Sequence, residues 1–366
     1  MKAVIITCFE SNEERAAFVY DVCLQKNYEV QVYTSDFSHI RKEKRKDVPE
    51  GFTALPARKY RKNLSLARIL SHIRFAKDVF ALMRRKKPDL IWLMAPANSL
   101  IKEAAAYRRD VPETKLIIDI IDMWPESLPL SIDKDRFPFS VWKRLRSDYL
   151  KCCDLLVCEC DLYREILEKE YPGKIETIRW ARKPVARISK KQIGNDVLSL
   201  VYIGSINNII DTGRIQRVIA GIDMPVTLHV IGDGENRERF LEKMKEVCDV
   251  RYHGVVMDEE KKAQIFEQCH AGINIYKEDL YIGLTVKCID YFEHGLPIIN
   301  NIRGDTKELI ETYHAGINLD GSDRFDARRI INMRENNWSV YSLFEENFSR
   351  DVFVTKCREA IGEVLE

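Results

Sequence analysis

No apolar run in the sequence reaches the roughly 18 residues that a helix needs to span a bilayer, so no segment is expected to cross a membrane. There is almost no net charge, +1 over 366 residues. Ten cysteines are present without the short, regular spacing of a secreted disulfide scaffold, which predicts reduced thiols in a cytoplasmic protein. Cys152, Cys153, Cys158 and Cys160 approach a zinc pattern, but no histidine or further CxxC pair completes a tetrahedral site. The alternation in DLLVCEC instead predicts a strand that carries Cys158 and Cys160 on the face of Leu156, as core thiols. No GxGxxG follows the first strand of either half, which argues against a dinucleotide-binding dehydrogenase. The opening MKAVIIT runs straight into a strand and is followed by Glu10, Glu13 and Glu14, the pattern of a first strand and not of a signal peptide.

What is there is a globular composition, 45% hydrophobic and 31% charged, with length for two domains. The near-neutral total hides a division: residues 1–200 hold 38 basic and 28 acidic side chains, the rest 20 and 29. The basic excess gathers at 41–46 (RKEKRK), 58–62 (RKYRK) and 84–87 (RRKK). Each run alone reads as a solvated face. Three in one half predict a polyanionic neighbour: an anionic membrane surface or a lipid diphosphate. Nucleic acid is not expected, because no known recognition element accompanies the charge.

Strands and helices alternate along both halves. In the first, strands are expected at 3–7, 29–34, 90–94, 115–121, 155–158 and 175–179, with helices at 13–26, 65–85, 99–109, 142–153 and 163–170. The long helix at 65–85 is expected to turn Leu66, Ile69, Leu70, Ile73, Val79 and Leu82 to a core. The polar, basic segment 181–196 reads as a linker. Beyond it, strands are expected at 198–203, 226–231, 250–253 and 271–275, and helices at 212–220, 236–247, 261–269 and 306–313. Two closing helices are expected at 337–346 and 351–364. The fold class is thus α/β: two doubly wound, Rossmann-like domains, 1–185 and 197–346, joined by 186–196, with the terminal helix 347–366 able to pack back on the first.

The chain is organised around 281–301, YIGLTVKCIDYFEHGLPIINN. Gly283, Leu284 and Thr285 form a short loop, and Thr285 can cap the helix that follows. Gly295 stops that helix, and a buried strand begins at 297. A helix start with open amides, a positive dipole end and Lys287 in its first turn makes an anion site. Asp290, about one turn further, can accept from ribose hydroxyls. The local pattern alone also fits an ordinary αβ unit with a solvated Lys and Asp.

YIGS at 202–205, VIGDGE at 230–235, RYHGVV at 251–256, HAGINIY at 270–276 and GLTVKCIDYFEHGLPII at 283–299 resemble, in order and spacing, the family-4 glycosyltransferases. DIIDMWPES at 119–127 resembles the D-x-W-P-E-S stretch of members that act on lipid-linked glycans in bacterial capsule and surface polysaccharide assembly. The resemblance covers essentially the whole chain. It implies the GT-B fold, two facing Rossmann-like domains with a cleft between them. It implies a nucleotide-sugar donor whose phosphates meet Gly283, Leu284 and Thr285, with Lys287 facing them and Asp290 on the ribose. His253, Gly254 and Val255 match the strand end that reads the base through its backbone, and Gly204 and Ser205 match the turn beneath the diphosphate. Ile282 stands where many members carry the first of two glutamates, and Ser205 where many carry arginine. Arg214 or Arg217 could replace that charge, or either could be a solvated helix residue.

In the first domain, Asp122 follows a strand where members of the resembled family carry a catalytic His or Asp facing the donor sugar; the plain alternative is that Asp122 and Asp119 cap or turn the chain. Asp119 and Asp122 are not expected to form a metal-binding DxD; no metal or other cofactor is expected. Glu10, Asn12 and Asn98 follow strands on the carboxyl side of the sheet and are the acceptor-binding candidates, turn formation being the plain alternative. The expected function is transfer of a sugar, UDP-linked first, to a glycan or polyprenyl-diphosphate-linked acceptor, metal-independent and retaining. The expected place is the cytoplasm, peripherally on the inner membrane face. The alternatives are a non-catalytic glycosyltransferase-like subunit and a nucleotide-sugar epimerase.

Overall fold

The computed structural model describes residues 1–128, 133–182, 193–278, 280–319 and 321–366. It divides into two compact units: Met1–Trp180 with Phe353–Glu366, and Ala181–Val352. The first unit ends ahead of the expected boundary at 185 because Ala181 and Arg182 belong to the second. The Arg182 amide donates to the Phe348 carbonyl, and its side chain meets Asp290. The expected linker lies largely outside the described residues.

The first unit runs β1 (Lys2–Ile6), α1 (Glu13–Gln25), β2 (Glu29–Ser35), β3 (Phe37–Ser38), β4 (Glu43–Lys44), β5 (Phe52–Leu55), α2 (Leu66–Lys86), β6 (Leu90–Ala95), α3 (Asn98–Asp110), β7 (Lys115–Ile120), α4 (Phe139–Ser147), β8 (Leu155–Cys158), α5 (Asp161–Glu170) and β9 (Ile175–Thr177). A seven-stranded parallel sheet has the order β5-β2-β1-β6-β7-β8-β9, and β3 and β4 form a small antiparallel pair. The central strand β6, LIWLMA, is buried at every residue, as a parallel strand covered on both faces should be. Ala95 pairs with Ile120, and Ile120 with Cys158, so β6, β7 and β8 end level and release their loops on one edge.

Helix α2 corrects the expected packing. Its buried positions are Arg68, Ser71, His72, Phe75, Ala76, Val79, Phe80 and Met83, a clean helical stripe. In the first two turns that stripe is polar, while Leu66 and Leu70, expected inside, are 78% and 50% exposed. These turns are inside out. The expected strand through Cys160 also stops at Cys158; Cys160 takes the N-cap position of α5, and both thiols are buried.

The second unit runs β10 (Leu198–Ile203), α6 (Thr212–Ala220), β11 (Val226–Ile231), α7 (Arg237–Lys245), β12 (Asp249–Gly254), α8 (Glu259–Phe266), β13 (Ala271–Asn274), α9 (Val286–Glu293), β14 (Ile298–Asn300), α10 (Asp305–Tyr313), β15 (Gly316–Asn318), α11 (Ala327–Glu335) and α12 (Trp338–Phe348). Its parallel sheet has the order β12-β11-β10-β13-β14-β15. The last helix, α13 (Arg350–Leu365), enters the first unit at Phe353, whose ring meets Phe18 at 5.6 Å and lies under the Arg15 guanidinium at 4.9 Å. No helix among the described residues is long and apolar enough to cross a membrane.

Candidate functional site

In the second unit the carboxyl edge of the sheet is tied by an asparagine ladder. Asn274, Asn300 and Asn318 end β13, β14 and β15 in register, and their amides join at 2.8 Å across each gap. Asn274 in turn accepts from the Thr285 hydroxyl at 3.0 Å. Thr285 therefore sits at the N-cap position of α9 with its side chain turned to Asn274 and Cys288, not to the helix amides. The Gly283 carbonyl accepts from both the amide and hydroxyl of Thr306, which fixes the loop before α9. These bonds fix the helix start from behind.

Lys287 is the unusual residue of this unit. It is 8% exposed, and its amine has no hydrogen-bond partner among the described residues. It lies over the rings of Tyr202 at 4.2 Å and Tyr276 at 4.6 Å. Burial pushes its pKa down to about 7, with Cys288 weakly opposing. Gly204 brings the end of β10 directly beneath it: φ is +121°, and a Cβ there would lie 3.6 Å from Lys287 Cε. Gly232 must stay glycine for the same turn, because its Cβ would fall 2.0 Å from the Gly204 carbonyl oxygen. Ser205 is exposed, and its carbonyl accepts from the Tyr202 hydroxyl.

Other donor-side candidates divide. Asp290 is near the Arg182 guanidinium, at 3.4 Å. Glu293, one turn on, is mostly buried, and burial with the Asp290 charge pushes its pKa up to about 7. His253 is exposed and stacks on His229 at 5.2 Å, their facing nitrogens 3.1 Å apart. The Gly254 carbonyl accepts from the Gly232 amide at 2.7 Å, while Val255 stays exposed. Arg214 is corrected. Its guanidinium is occupied by Asp323, Glu278 and the Leu319 carbonyl, so it braces α6 and is not open to a ligand. Arg217 shares Asp323. Grooves of about 590 and 940 Å³ lie elsewhere in this unit, beside Trp338 and beside Arg328, and include none of these residues.

In the first unit the DMWPES loop closes on itself. The carboxylate of Asp122 accepts from the Ser127 hydroxyl, and Glu126 makes a two-pronged pair with buried Arg146 at 2.8 and 2.9 Å. Burial raises the Asp122 pKa, opposed by hydrogen bonds from Ser127, Trp124 and the Met123 amide and by the Arg68 charge. Asp119 is wholly buried, gripped by Arg15 and by the Trp92 indole N–H. It is a core anchor.

The acceptor candidates also separate. Glu10 accepts from the Ser38 hydroxyl and the amides of His39 and Ile40, so it shapes a loop. Asn98 donates to the Trp124 and Trp142 carbonyls and fastens the DMWPES loop instead. Asn12 is buried with its amide nitrogen unpartnered. Residues absent from the sequence reading, Arg68, His72, Tyr60 and Phe9, gather around Trp124: the Arg68 guanidinium is 4.3 Å from its ring, and His72 is stacked at 6.3 Å. The inverted phase of α2 brings Arg68 and His72 in.

No family model and no curated protein matches the chain. Among solved structures, the chain is similar to sucrose-phosphate synthase from Thermosynechococcus elongatus, with TM-score 0.73, 11% identity and coverage of 100% and 99% of the two chains. It is similar to HepE of Anabaena in complex with UDP, with TM-score 0.69, 11% identity and coverage of 100% and 99%. It is also similar to the lipopolysaccharide outer core galactosyltransferase WaaB in its apo form, with TM-score 0.66, 12% identity and coverage of 99% of each. The fold is GT-B, built from two Rossmann-like domains.

Proposed function

We propose that the protein is a glycosyltransferase that moves a sugar from a nucleotide diphosphate donor, UDP first, to an acceptor hydroxyl. One observation carries this reading: Lys287, a buried amine with no hydrogen-bond partner among the described residues, stands above the Gly204 turn at the start of α9. A diphosphate there supplies the missing counter-charge, raises the Lys287 pKa and returns the group to its ammonium form. Asp290 is assigned to the ribose, and the backbone from His253 to Val255 to the base. The similarity to a structure holding UDP adds support.

In the reaction the bond from the anomeric carbon to the phosphate oxygen breaks, and its electron pair stays with the diphosphate. The acceptor oxygen bonds to that carbon and passes its proton to the departing diphosphate oxygen. Lys287 and the helix start take up the developing negative charge, so the scheme asks for no metal. Asp122, in a desolvated loop, is assigned to the transferring sugar, and the reaction is proposed to retain the anomeric configuration. We assign the acceptor to lipid-linked glycans of surface polysaccharide assembly, met at the inner membrane face. Exposed Ile40, Leu64, Leu66 and Leu70 beside the basic runs support that contact. The protein should float with anionic vesicles at low salt; remaining at the bottom removes the membrane from the scheme.

Calorimetry with UDP and a thermal-shift panel of nucleotide sugars test the central reading. Binding of UDP and stabilisation by one donor are expected; indifference to every nucleotide sinks it. Ile282 and Ser205, where the resembled family often carries Glu and Arg, favour one rival, a non-catalytic subunit. That rival predicts UDP binding without release of UDP from any UDP-sugar.

A further inference from the structure

Four arginines are buried among the described residues: Arg15, Arg68, Arg146 and Arg214. Three have carboxylates within 3 Å: Asp119 for Arg15, Glu126 for Arg146, and Asp323 and Glu278 for Arg214. Arg68 has none within ion-pair distance among the described residues, although it is 3% exposed. Its two terminal nitrogens reach the Asn63 carbonyl at 3.0 Å and His39 Nε2 at 3.4 Å, and its Nε has no partner. One turn along α2, His72 is likewise buried with Nε2 unpartnered. Burial, then the charge of Arg68, holds its pKa well below the usual range, so the ring is neutral and can present an N–H.

A guanidinium cannot shed its charge, so a buried one without an anion is costly unless something else compensates. The rings of Trp124, Phe9 and Tyr60, at 4.3, 5.7 and 5.9 Å, compensate in part. A second cation stands near: Asn63 links Arg68 to Lys42, its backbone carbonyl accepting from one and its side-chain oxygen from the other. We propose that Arg68 and His72 form a binding site for a phosphate group, and that this group belongs to the acceptor. The planar fork of Arg68 suits phosphate oxygens, the aromatic walls exclude water, and Lys42 supplies the second charge that a diphosphate needs. The inward turn of a polar stripe where the sequence offers leucines is the structural cost of building such a site.

The assignment to the acceptor rests on the glycosyl-transfer reading; the phosphate site does not. Farnesyl diphosphate is titrated by calorimetry into the full-length protein saturated with UDP, which fills the site at Lys287. Wild type should bind it, Arg68→Gln at least about tenfold more weakly, and Arg68→Lys in between, with UDP affinity unchanged in all three. Inorganic pyrophosphate should compete, which marks the shared phosphate chemistry. The proposal is overturned if both variants bind the probe like wild type, if pyrophosphate does not compete, or if only phosphatidylglycerol vesicles bind. Absence of UDP binding would overturn the donor reading alone, because the comparison of wild type with Arg68→Gln still decides the phosphate site.

Discussion

Among the described residues each unit holds one buried cation without a carboxylate, and the two solve that problem differently. Lys287 lies between Tyr202 and Tyr276 and can discharge, its pKa pushed down to about 7 by burial. Arg68 lies against Trp124, Phe9 and Tyr60 and cannot discharge at any ordinary pH. On the proposed reading, the first site can wait empty with its amine partly discharged and become fully charged when an anion arrives. The second stays charged, and its rings, with the more distant charge of Asp122, offset part of the cost. Lysine thus suits a site whose occupancy is coupled to a proton, and arginine a site whose charge is permanent.

The largest effect should come from creating an unpaired buried arginine where the fold pairs one. Asp119→Ala leaves Arg15 uncompensated and should lower unfolding stability by about 3–5 kcal/mol, read from urea midpoints. A much smaller loss would mean that a buried arginine is cheap here, and Arg68 would lose its special status. Next comes Lys287→Met, expected to weaken UDP binding by about 1.5–3 kcal/mol in calorimetry. The same variant tests the discharge. The folded pKa of Lys287 is below its unfolded value, so the unfolded chain binds more protons between about pH 7 and pH 10. Wild-type stability should therefore rise with pH across that window relative to Lys287→Met, and parallel curves would refute the discharged state.

Asp122→Asn should leave UDP affinity intact while transfer falls by more than about tenfold, or roughly 1.4 kcal/mol. Turnover at the wild-type rate would make Asp122 a loop anchor like Glu126. The smallest signal is the proton itself. UDP binding should take up about half a proton at pH 7 and more at pH 8, measured by calorimetry in buffers of different ionisation heat. No uptake at pH 8 would leave Lys287 charged throughout and erase the contrast with Arg68.

Much of the scaffold was legible. The long apolar strands, such as KAVII and LIWLMA, need only their own composition to be recognised. Short edge elements were not legible: β5 is FTAL and β15 is GIN, too brief to show a period, and α11 is ARRIINMRE, whose charges blur its apolar face. The start of α9 could be read because Gly283, Thr285, Lys287 and Gly295 lie close in sequence. The ladder of Asn274, Asn300 and Asn318 could not, since three asparagines 26 and 18 positions apart signal nothing until their strands align.

Local order along the chain determined that there are two α/β halves, and it determined the helix start that carries Lys287. Both follow from side-chain periodicity and backbone chemistry within a few residues. Only the tertiary structure decided which arginines are matched. In sequence Arg68 and Arg214 are equivalent cations near the start of a helix; in space one meets Asp323 and Glu278 and the other meets aromatic rings. The phase of α2 was decided there too, because Phe75, Val79, Phe80 and Met83 pack as one rigid stripe, and a helix cannot turn its first two turns independently of the rest.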